Sequence, residues 1–364
     1  MDDDEENIDS ITTSIASGLG PDIISLDRLM VSEAAAKNIL ANLKESDEHL
    51  ENLAPNYVKS AFDEIRYGNG IYGVPTVTDV RALYYRKDIL KQNGINLSEF
   101  EPHKGPLKIS TLDEKISKLN VLKSGEYQSI GFVPWFEQGW HYTWGFAFGG
   151  EFYDSSKKSV TPESPRVVEA FRYLQKSAQK LDFQKVERAI NSWYPPHAEP
   201  AKHPFMTGKI PIVVNGSWFV EEVSIHLNRD QWGVTYIPSV EGNKASWSGG
   251  FALVINRYSN YKQEALDFIK FAAGPIGQKI IVKNSAELPT HLGVSSDTAF
   301  DKERFGFLES LRKESLSRPA IPVGAKYWQS LTDGMFSVMK EKESVEKALG
   351  KVKKEIQPIL NSLQ

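Results

Sequence analysis

Aromatic rings and carboxylates are concentrated between positions 133 and 151, where together they could bind a carbohydrate. Seven of the eighteen residues in VPWFEQGWHYTWGFAFGG (133–150) are Phe, Trp or Tyr, with Glu137 among them and Glu151 directly after. A tryptophan ring stacks on the apolar C–H face of a pyranose, while carboxylates accept hydrogen bonds from the hydroxyl groups at its edge. The same rings could equally build a core, so the sequence leaves open the roles of Trp135, Trp140 and Trp144.

The carboxylates raise the alternative of catalysis on a sugar. Glycoside hydrolases place two carboxyl groups across the scissile bond, and the separation differs between enzymes that use a water and those that form a covalent intermediate. Glu137, Glu151 and Asp79, the last in the stretch TVTDVR, are the candidates for such a pair. Because sequence spacing does not give their separation, a glycoside hydrolase or another carbohydrate-active enzyme stays open at this point.

Other sequence motifs for catalysis, metal binding or nucleotide binding are absent or lack the flanking elements that they require. The chain has no cysteine, and its histidines, His197 and His203 included, do not follow a metal-ligand spacing. The glycines of RYGNGIYG (66–73) precede the extended VPTV rather than a helix, and Ser217 does not lie in a GxSxG turn. A net charge of −4 argues against nucleic-acid binding. We therefore predict no cofactor, no metal and no nucleic-acid partner.

Short strands alternate with helices along the chain, and they must position these side chains. Periodicity predicts helices over 7–17, 32–44, 111–123, 164–181, 261–273 and 326–361, and strands over 22–26, 80–86, 211–218, 232–238 and 247–256. This alternation is typical of an α/β fold. The 364 residues exceed what one core usually serves, and no Pro/Gly/Ser-rich linker divides them. We therefore expect two domains joined by several crossing segments.

The order of seven segments along the chain resembles that of one protein family. They are ASGLGPDIISLD, YGVPTVTDVRALYYRKDIL, GFVPWFEQ with WGFAFGGEFYD, PFMTGKIPIVVNGSWF, WGVTYIPSVEG, WSGGFALVINRYSNYKQEALDFIKFAAGPIGQ and RPAIPVGAKYW. In this succession the chain resembles the extracellular solute-binding proteins of ABC transporters, family 1, the sugar-binding group that includes maltose-binding protein. The resemblance covers nearly the whole chain from about residue 7.

The resemblance implies a periplasmic-binding-protein-like α/β fold with two lobes and a sugar held between them, and the several tryptophans lead us to expect an oligosaccharide. Lobe 1 would hold 1–82 and 254–290, and lobe 2 would hold 83–253 and 291–364. Such a protein is not an enzyme: it closes about its ligand and delivers it to a membrane permease of the ABC transporter. The family further implies a monomer outside the cytoplasm, at the periplasm or cell surface, where members are commonly anchored as lipoproteins.

Individual binding residues follow from the resemblance, position by position. NGSW resembles the family's NGPW, and VPWF and IPVGAKYW resemble two further segments that carry an aromatic ring against the sugar. Asp79 lies where a binding carboxylate is expected, and the pair after PDIISL offers a carboxylate and a guanidinium from lobe 1. The expected substrate-binding residues are Trp135, Trp218, Trp328, Asp79, Trp247, Asp27, Arg28, Arg81, Glu137, Trp140 and Gly249.

Three rival ligands and one departure from the family qualify this expectation. A polyol, a glycerol phosphate or a peptide could replace the sugar, although a phosphate would require more cleft cations than Arg28 and Arg81. The family's signal peptide and first strand, helix and strand have no counterpart in the sequence given, which begins MDDDEENIDS. We accordingly expect lobe 1 to be N-terminally incomplete, so that a non-binding fragment is a further alternative.

Overall fold

Strands and helices alternate throughout the computed structural model, which describes residues 13–15, 20–283, 285, 287–295 and 302–363. The strands are β1 (Ile23–Asp27), β2 (Arg66–Tyr67), β3 (Gly70–Ile71), β4 (Val74–Pro75), β5 (Val77–Thr78), β6 (Arg81–Arg86), β7 (Val121–Lys123), β8 (Glu126–Ser129), β9 (Tyr153–Asp154), β10 (Ser159–Val160), β11 (Ile212–Gly216), β12 (Trp232–Thr235), β13 (Phe251–Ile255) and β14 (Leu288–Pro289). The helices are α1 (Arg28–Ala36), α2 (Lys59–Asp63), α3 (Lys87–Gln92), α4 (Ile109–Ile116), α5 (His141–Ala147), α6 (Pro165–Leu181), α7 (Phe183–Trp193), α8 (Phe219–His226), α9 (Lys262–Ala272), α10 (Pro275–Lys283), α11 (Lys302–Arg312), α12 (Gly324–Met339) and α13 (Val345–Ser362).

Two large hydrophobic cores organise the fold. The first gathers side chains from 15–74 and 252–273, and the second gathers side chains from 80–247 and 288–360. The chain therefore passes between the cores near 74–80, 247–252 and 273–288, in agreement with the expectation of several crossings. This is a two-lobed α/β architecture, and the crossing segments lie where the two cores meet.

Two small antiparallel sheets bring polar strand ends to this meeting point. In the first, β13 lies between β1 and β4, and its register pairs Asp27 with Phe251. In the second, β6 lies between β11 and β12, and its register pairs Gly216 with Arg81. The carboxyl ends of β1 and β11 thus lie beside the amino ends of β13 and β6. Residues immediately after β1 and β11 are consequently held next to the crossings.

Helix α1 begins earlier than the sequence predicts, and this change affects the site. The prediction placed the helix over 32–44 with Ser32 as its cap, whereas α1 begins at Arg28 and ends at Ala36. Asp27 is the actual cap, because its carboxylate accepts a hydrogen bond from the Leu29 amide at 2.8 Å. Two residues after the helix ends, Asn38 adopts a positive φ of 60°, so the chain cannot continue as a helix there.

Other predicted elements agree with the structure to different extents. The amphipathic helix predicted over 164–181 is confirmed by α6, and that over 261–273 by α9. The prediction over 111–123 is wrong in its second half, because α4 ends at Ile116 and β7 follows. The single helix predicted over 326–361 divides into α12 and α13, while the helix over 7–17 lies mostly outside the described residues. None of the helices in the described ranges combines the length and apolar composition that a bilayer span requires.

Candidate functional site

Two adjoining cavities lie between the cores and share part of their walls. The first, here called the aromatic cavity, has a volume of about 480 Å³ and is lined by Trp140, Trp247, Trp328 and Phe336, among others. The second, the crossing cavity, has a volume of about 280 Å³ and is lined by residues of the crossing segments. Asp27, Arg81 and Arg318 line both cavities, so these three charged side chains form the partition between them.

Trp328 in the first turns of α12 rests on a platform of other rings. Its ring centroid lies 4.6 Å from that of His141, 5.4 Å from Tyr142 and 5.9 Å from Trp140. The supporting rings come from Trp140 and the amino end of α5, a helix whose residues are all buried. Because these contacts fix the orientation of Trp328, its half-buried ring presents a defined surface to the aromatic cavity.

The ring of Trp247 is positioned differently, because a guanidinium covers it. The Arg81 guanidinium carbon lies 3.6 Å from the Trp247 ring centroid, a cation–π contact. The indole nitrogen of Trp247 donates to the Thr143 hydroxyl at 2.8 Å, and only 1% of the residue is exposed. In this conformation Trp247 supports Arg81 and has no open face for a ligand.

A buried ionic network ties α1 to the segment before α12. Arg28 donates from Nε to Glu64 at 3.0 Å, and the backbone amide of Arg318 donates to the other Glu64 oxygen at 3.0 Å. Arg318 also donates to Asp27 Oδ1 at 2.7 Å. Burial disfavours the Asp27 carboxylate, but the charge of Arg318 and the hydrogen bonds outweigh it, so the pKa of Asp27 lies below its ordinary value of 3.8. Asp27 is therefore ionised and oriented while it faces the cavities.

Asp79 and Arg81 form a second ion pair at the start of β6. Arg81 Nη1 donates to Asp79 Oδ1, the same oxygen accepts from the Gly249 amide at 2.6 Å, and Arg81 Nε donates to Gln138 at 3.2 Å. Burial lowers the pKa of Arg81 to about 10, and the neighbouring Asp79 opposes that shift. Arg81 remains charged near neutral pH. Its donors are directed to protein acceptors and hold the partition in place.

Trp218 supplies the most exposed ring at the crossing cavity. It lies two residues after the end of β11, and 37% of the residue is exposed. Its ring folds back over Gly216, so a Cβ at this position would displace the ring. The Arg81 guanidinium lies 5.2 Å from the Trp218 ring on the cavity side. Trp218 is thus an accessible aromatic surface beside fixed charges.

The structure brings most of the predicted binding residues to the two cavities. Those that line one or both are Asp27, Asp79, Arg81, Trp140, Trp218, Trp247, Gly249 and Trp328. Arg28 lies behind the wall, fully buried, where it donates to the carbonyl oxygens of Val77 and Gly249. It acts on the cavities only by fixing their backbone.

Trp135 and Glu137, by contrast, line neither cavity. The indole nitrogen of Trp135 donates to Glu187 at 3.0 Å, and its ring packs 5.5 Å from that of Phe183 in the second core. Glu137 Oε1 lies 3.0 Å from His203 Nε2; the other ring nitrogen of His203 accepts from the Phe205 amide, so Nε2 is the donor. Both side chains are engaged in structural contacts.

The exposure of Trp144 and Glu151 bears on the remaining sequence hypotheses about residues 133–151. Trp144, whose role the sequence left open, is fully buried and donates to the Pro134 carbonyl at 2.8 Å. Glu151, a candidate for a hydrolytic pair with Glu137, is exposed and lines neither cavity. Within the described ranges, no group of three or more His, Cys, Asp or Glu side chains could hold a metal ion.

Sequence reasoning missed several residues of the site. Glu64 and Arg318 complete the buried network, while Ser217 and Glu287 line or support the crossing cavity. They come from separate segments of the chain, so no local spacing connects them. Arg318 and Ser217 belong to the segments RPAIPVGAKYW and NGSW, in which the family resemblance singled out only the tryptophans as binding residues.

Comparison with known proteins finds one matching family profile and several similar relatives. The sequence profile of the bacterial extracellular solute-binding proteins matches residues 1–304. A probable ABC transporter-binding protein of Deinococcus radiodurans is 26% identical, over 83% of this chain and 74% of its own length. The maltotriose-binding protein of Pyrococcus abyssi is 23% identical, over 95% of this chain and 72% of its own length.

Solved structures share the fold. CpMnBP1 with mannobiose bound aligns with a TM-score of 0.79 at 22% identity, over 95% of this chain and 86% of that one. An ABC substrate-binding protein from Listeria monocytogenes in complex with cycloalternan aligns with a TM-score of 0.79 at 20% identity, over 98% and 89%. Together with the profile match, the two lobes and the cavities between them, these likenesses lead to one assignment. The chain belongs to the bacterial extracellular solute-binding protein family.

Proposed function

We propose that this protein is the sugar-binding subunit of an ABC importer and that its ligand is an oligosaccharide. The observation that carries the proposal is the combination of open tryptophan rings and oriented carboxylates at adjoining cavities between two lobes. Trp328 and Trp218 each offer a ring surface, and Asp27 and Asp79 each present a carboxylate beside it. Sugars require both kinds of group, because a pyranose has apolar faces and a polar edge.

The volume and division of the cleft favour more than one sugar ring. The two cavities meet at Asp27, Arg81 and Arg318, with Trp328 on one side and Trp218 on the other. An oligosaccharide that passed this partition could stack one ring on each tryptophan. The maltotriose-binding protein of Pyrococcus abyssi and the solved structures with mannobiose or cycloalternan bound support an oligosaccharide as the ligand class.

The guanidinium groups near the cavities are already paired with carboxylates, and this argues against a phosphate-bearing ligand. Arg28, Arg81 and Arg318 each donate to a carboxylate within the protein. A glycerol phosphate would have to compete with those carboxylates for its cations, whereas sugar hydroxyl groups can use the carboxylates as acceptors. A hydrolase is also disfavoured, since Glu137 is bonded to His203 and Glu151 lies on the exposed surface. We therefore propose binding without a chemical step.

The proposed mechanism is closure of two lobes about the sugar. We assign 1–82 and 254–290 to lobe 1 and 83–253 and 291–364 to lobe 2, with the crossings as the hinge. Gly250, whose φ of 115° only glycine adopts readily, lies on one crossing. Sugar bound to both lobes would stabilise the closed form through the extra contacts made there. In this proposal the protein acts as a monomer outside the cytoplasm, in the periplasm or anchored as a lipoprotein, and a permease recognises its closed form.

Thermal unfolding with a panel of sugars tests this function. The panel is maltotriose, mannobiose, cycloalternan, glycerol 3-phosphate and sorbitol, each at millimolar concentration. A ligand that binds only the folded protein adds about 2.7 kcal/mol to the free energy of unfolding at a hundredfold excess over Kd. For a protein of this size that raises the melting temperature by a few degrees. We expect a shift with one or more oligosaccharides and none with glycerol 3-phosphate or sorbitol.

A matched pair of variants locates the binding site. Trp218→Ala removes the exposed ring at the crossing cavity and should weaken sugar binding about tenfold, since aromatic stacking contributes up to ~1.5 kcal/mol. Tyr261→Ala removes another exposed aromatic ring, at the start of α9 and away from both cavities, and should bind as the wild type does. Equal affinities for the two variants, or a panel in which only glycerol 3-phosphate shifts the melt, would contradict the proposal.

A further inference from the structure

The crossing cavity differs from the aromatic cavity in its balance of charge. Its wall carries the carboxylates of Asp27, Asp79 and Glu287 and the guanidinium groups of Arg81 and Arg318. Behind it, Arg28 and Glu64 are fully buried and bonded to each other at 3.0 Å. This set holds four carboxylates and three guanidinium groups, so one negative charge has no counterpart within it.

The hydrogen bonds identify Glu287 as the unmatched carboxylate. Asp27 and Glu64 both accept from Arg318, and Asp79 accepts from Arg81. Glu287, by contrast, has no cation within 4.0 Å of its carboxylate among the residues that the structure describes, and the neighbouring Ser285 hydroxyl, whose oxygen accepts from the Glu287 backbone amide at 3.4 Å, is neutral. A half-buried carboxylate without a cation is unfavourable, and a cationic ligand would relieve that cost.

Asp79 adds a second acceptor on the same wall. Its Oδ1 accepts from Arg81 and from the Gly249 amide, whereas no described donor is bonded to Oδ2. Asp79 and Glu287 line the same cavity, and burial, followed by the charge of Asp79, raises the pKa of Glu287. A positive group between them would be attracted to both.

Ser217 provides an independent sign that this cavity is shaped for a polar ligand. The residue is fully buried and lines the cavity, and its hydroxyl has no hydrogen-bond partner among the described residues. Buried hydroxyl groups in folded proteins are normally bonded, so an unpaired one at a cavity wall is available to a ligand. Trp218, the next residue, exposes its ring at the same wall.

We propose that the crossing cavity binds an amino sugar, with Glu287 and Asp79 Oδ2 accepting hydrogen bonds from its ammonium group and Ser217 bonding one of its hydroxyls. Trp218 would lie against the face of the same sugar ring. Glu287 is then a residue that determines specificity, since it selects a protonated hexosamine over the neutral hexose of the same shape. This inference rests on the proposed function and deepens it by naming the class of sugar unit.

Titration calorimetry with sugars that differ at a single position tests this inference. The first set is glucose, glucosamine and N-acetylglucosamine; the second is cellobiose, the chitosan dimer and N,N′-diacetylchitobiose. Within each set the ring and linkage are the same, and only the group at C2 changes from hydroxyl to ammonium to acetamide. At pH 6 an amine with a pKa near ~8 is protonated. We expect the amino sugar of at least one set to bind ten times more tightly than its neutral and acetylated counterparts.

Two glutamate variants assign that preference to a residue. Glu287→Gln keeps the shape and removes the charge, and it should reduce the preference to threefold or less. Glu222→Gln is the matched control, because Glu222 is also partly buried with a pKa raised by burial but does not line the cavity. It should keep the full preference. The melting temperature of each variant shows that both proteins are folded.

The outcomes separate this inference from the function on which it rests. Maltotriose and mannobiose are titrated alongside as neutral oligosaccharides. If any neutral sugar binds and no set shows a preference for the amino sugar, or if Glu287→Gln keeps that preference, the inference is overturned and the proposed function stands. If neither neutral nor amino sugars bind, both fail. Tighter binding of the amino sugar that depends on Glu287 supports both.

Discussion

Replacement of His141 by phenylalanine should make the protein less sensitive to acid. His141 begins α5, is fully buried and packs 4.6 Å from the Trp328 ring centroid. Its two ring nitrogens have no hydrogen-bond partner of good geometry among the described residues. Burial lowers the pKa of His141 to about 3, although the backbone of Trp328 offsets part of the shift. The folded protein therefore holds this histidine neutral.

The magnitude follows from the difference in proton binding between the folded and unfolded states. In the unfolded chain the pKa of His141 is near 6.5, so between about pH 6.5 and pH 3 only the unfolded state binds the proton. Stability therefore falls as the pH falls through this window. One pKa unit corresponds to ~1.36 kcal/mol, so acidification from pH 7 to pH 5 should cost about 2 kcal/mol through His141 alone.

Urea unfolding at pH 7 and pH 5 measures this contribution. The wild type should lose about 2 kcal/mol more than His141→Phe over that interval. His49→Gln is the control, because the side chain of His49 is 76% exposed, and this variant should lose as much stability over the interval as the wild type does. The same pH dependence in the wild type and in His141→Phe would refute the reasoning. It would mean that His141 is protonated in the folded state or reaches solvent.

Two other substitutions test the packing around the cleft. Glu64→Gln should lower the free energy of unfolding by about 3–5 kcal/mol, because it leaves two buried guanidinium groups without a carboxylate between them. In contrast, Glu346→Gln breaks an exposed ion pair and should lower the free energy of unfolding far less than Glu64→Gln in the same urea assay. Gly250→Ala should destabilise by at least ~2 kcal/mol more than Gly242→Ala, although both glycines have positive φ. A Cβ at Gly250 would lie 2.5 Å from the Val77 carbonyl oxygen, whereas at Gly242 it would meet open space. Equal losses of unfolding free energy for Glu64→Gln and Glu346→Gln would contradict the role of the buried charges. Equal losses for Gly250→Ala and Gly242→Ala would contradict the crowding at Gly250.

Sequence periodicity predicted the long amphipathic elements well, because their burial repeats along the chain. Helix α6 shows this, since its apolar positions recur at helical spacing and Pro165 fixes its first turn. Helix α1 was misplaced, because its start depends on one side-chain cap. Asp27 was interpreted as a ligand-binding residue, yet it also caps the helix and accepts from Arg318. One carboxylate makes both of these contacts, and only the folded chain reveals them.

The candidate site could be predicted only in part for the same reason. Resemblance and aromatic content pointed to Trp140, Trp218 and Trp328, and the structure places these rings at the two cavities. The partner of Arg28, Glu64, lies 36 positions away in the chain and had no local signal. Glu287 directly precedes β14, and the fold of the crossing segment brings it to the wall of the crossing cavity. Charge pairing across a cleft depends on tertiary contacts that spacing along one segment does not encode.

The most direct test of the central claim is a calorimetric titration of the purified protein with maltotriose and mannobiose. If the cleft between the lobes is a sugar site, one of these ligands should bind with a stoichiometry of one. Trp328→Ala should then weaken that binding about tenfold, because it removes the ring that the platform of α5 orients. An absence of heat with every oligosaccharide, or sugar binding that survives the loss of both Trp218 and Trp328 unchanged, would contradict the claim.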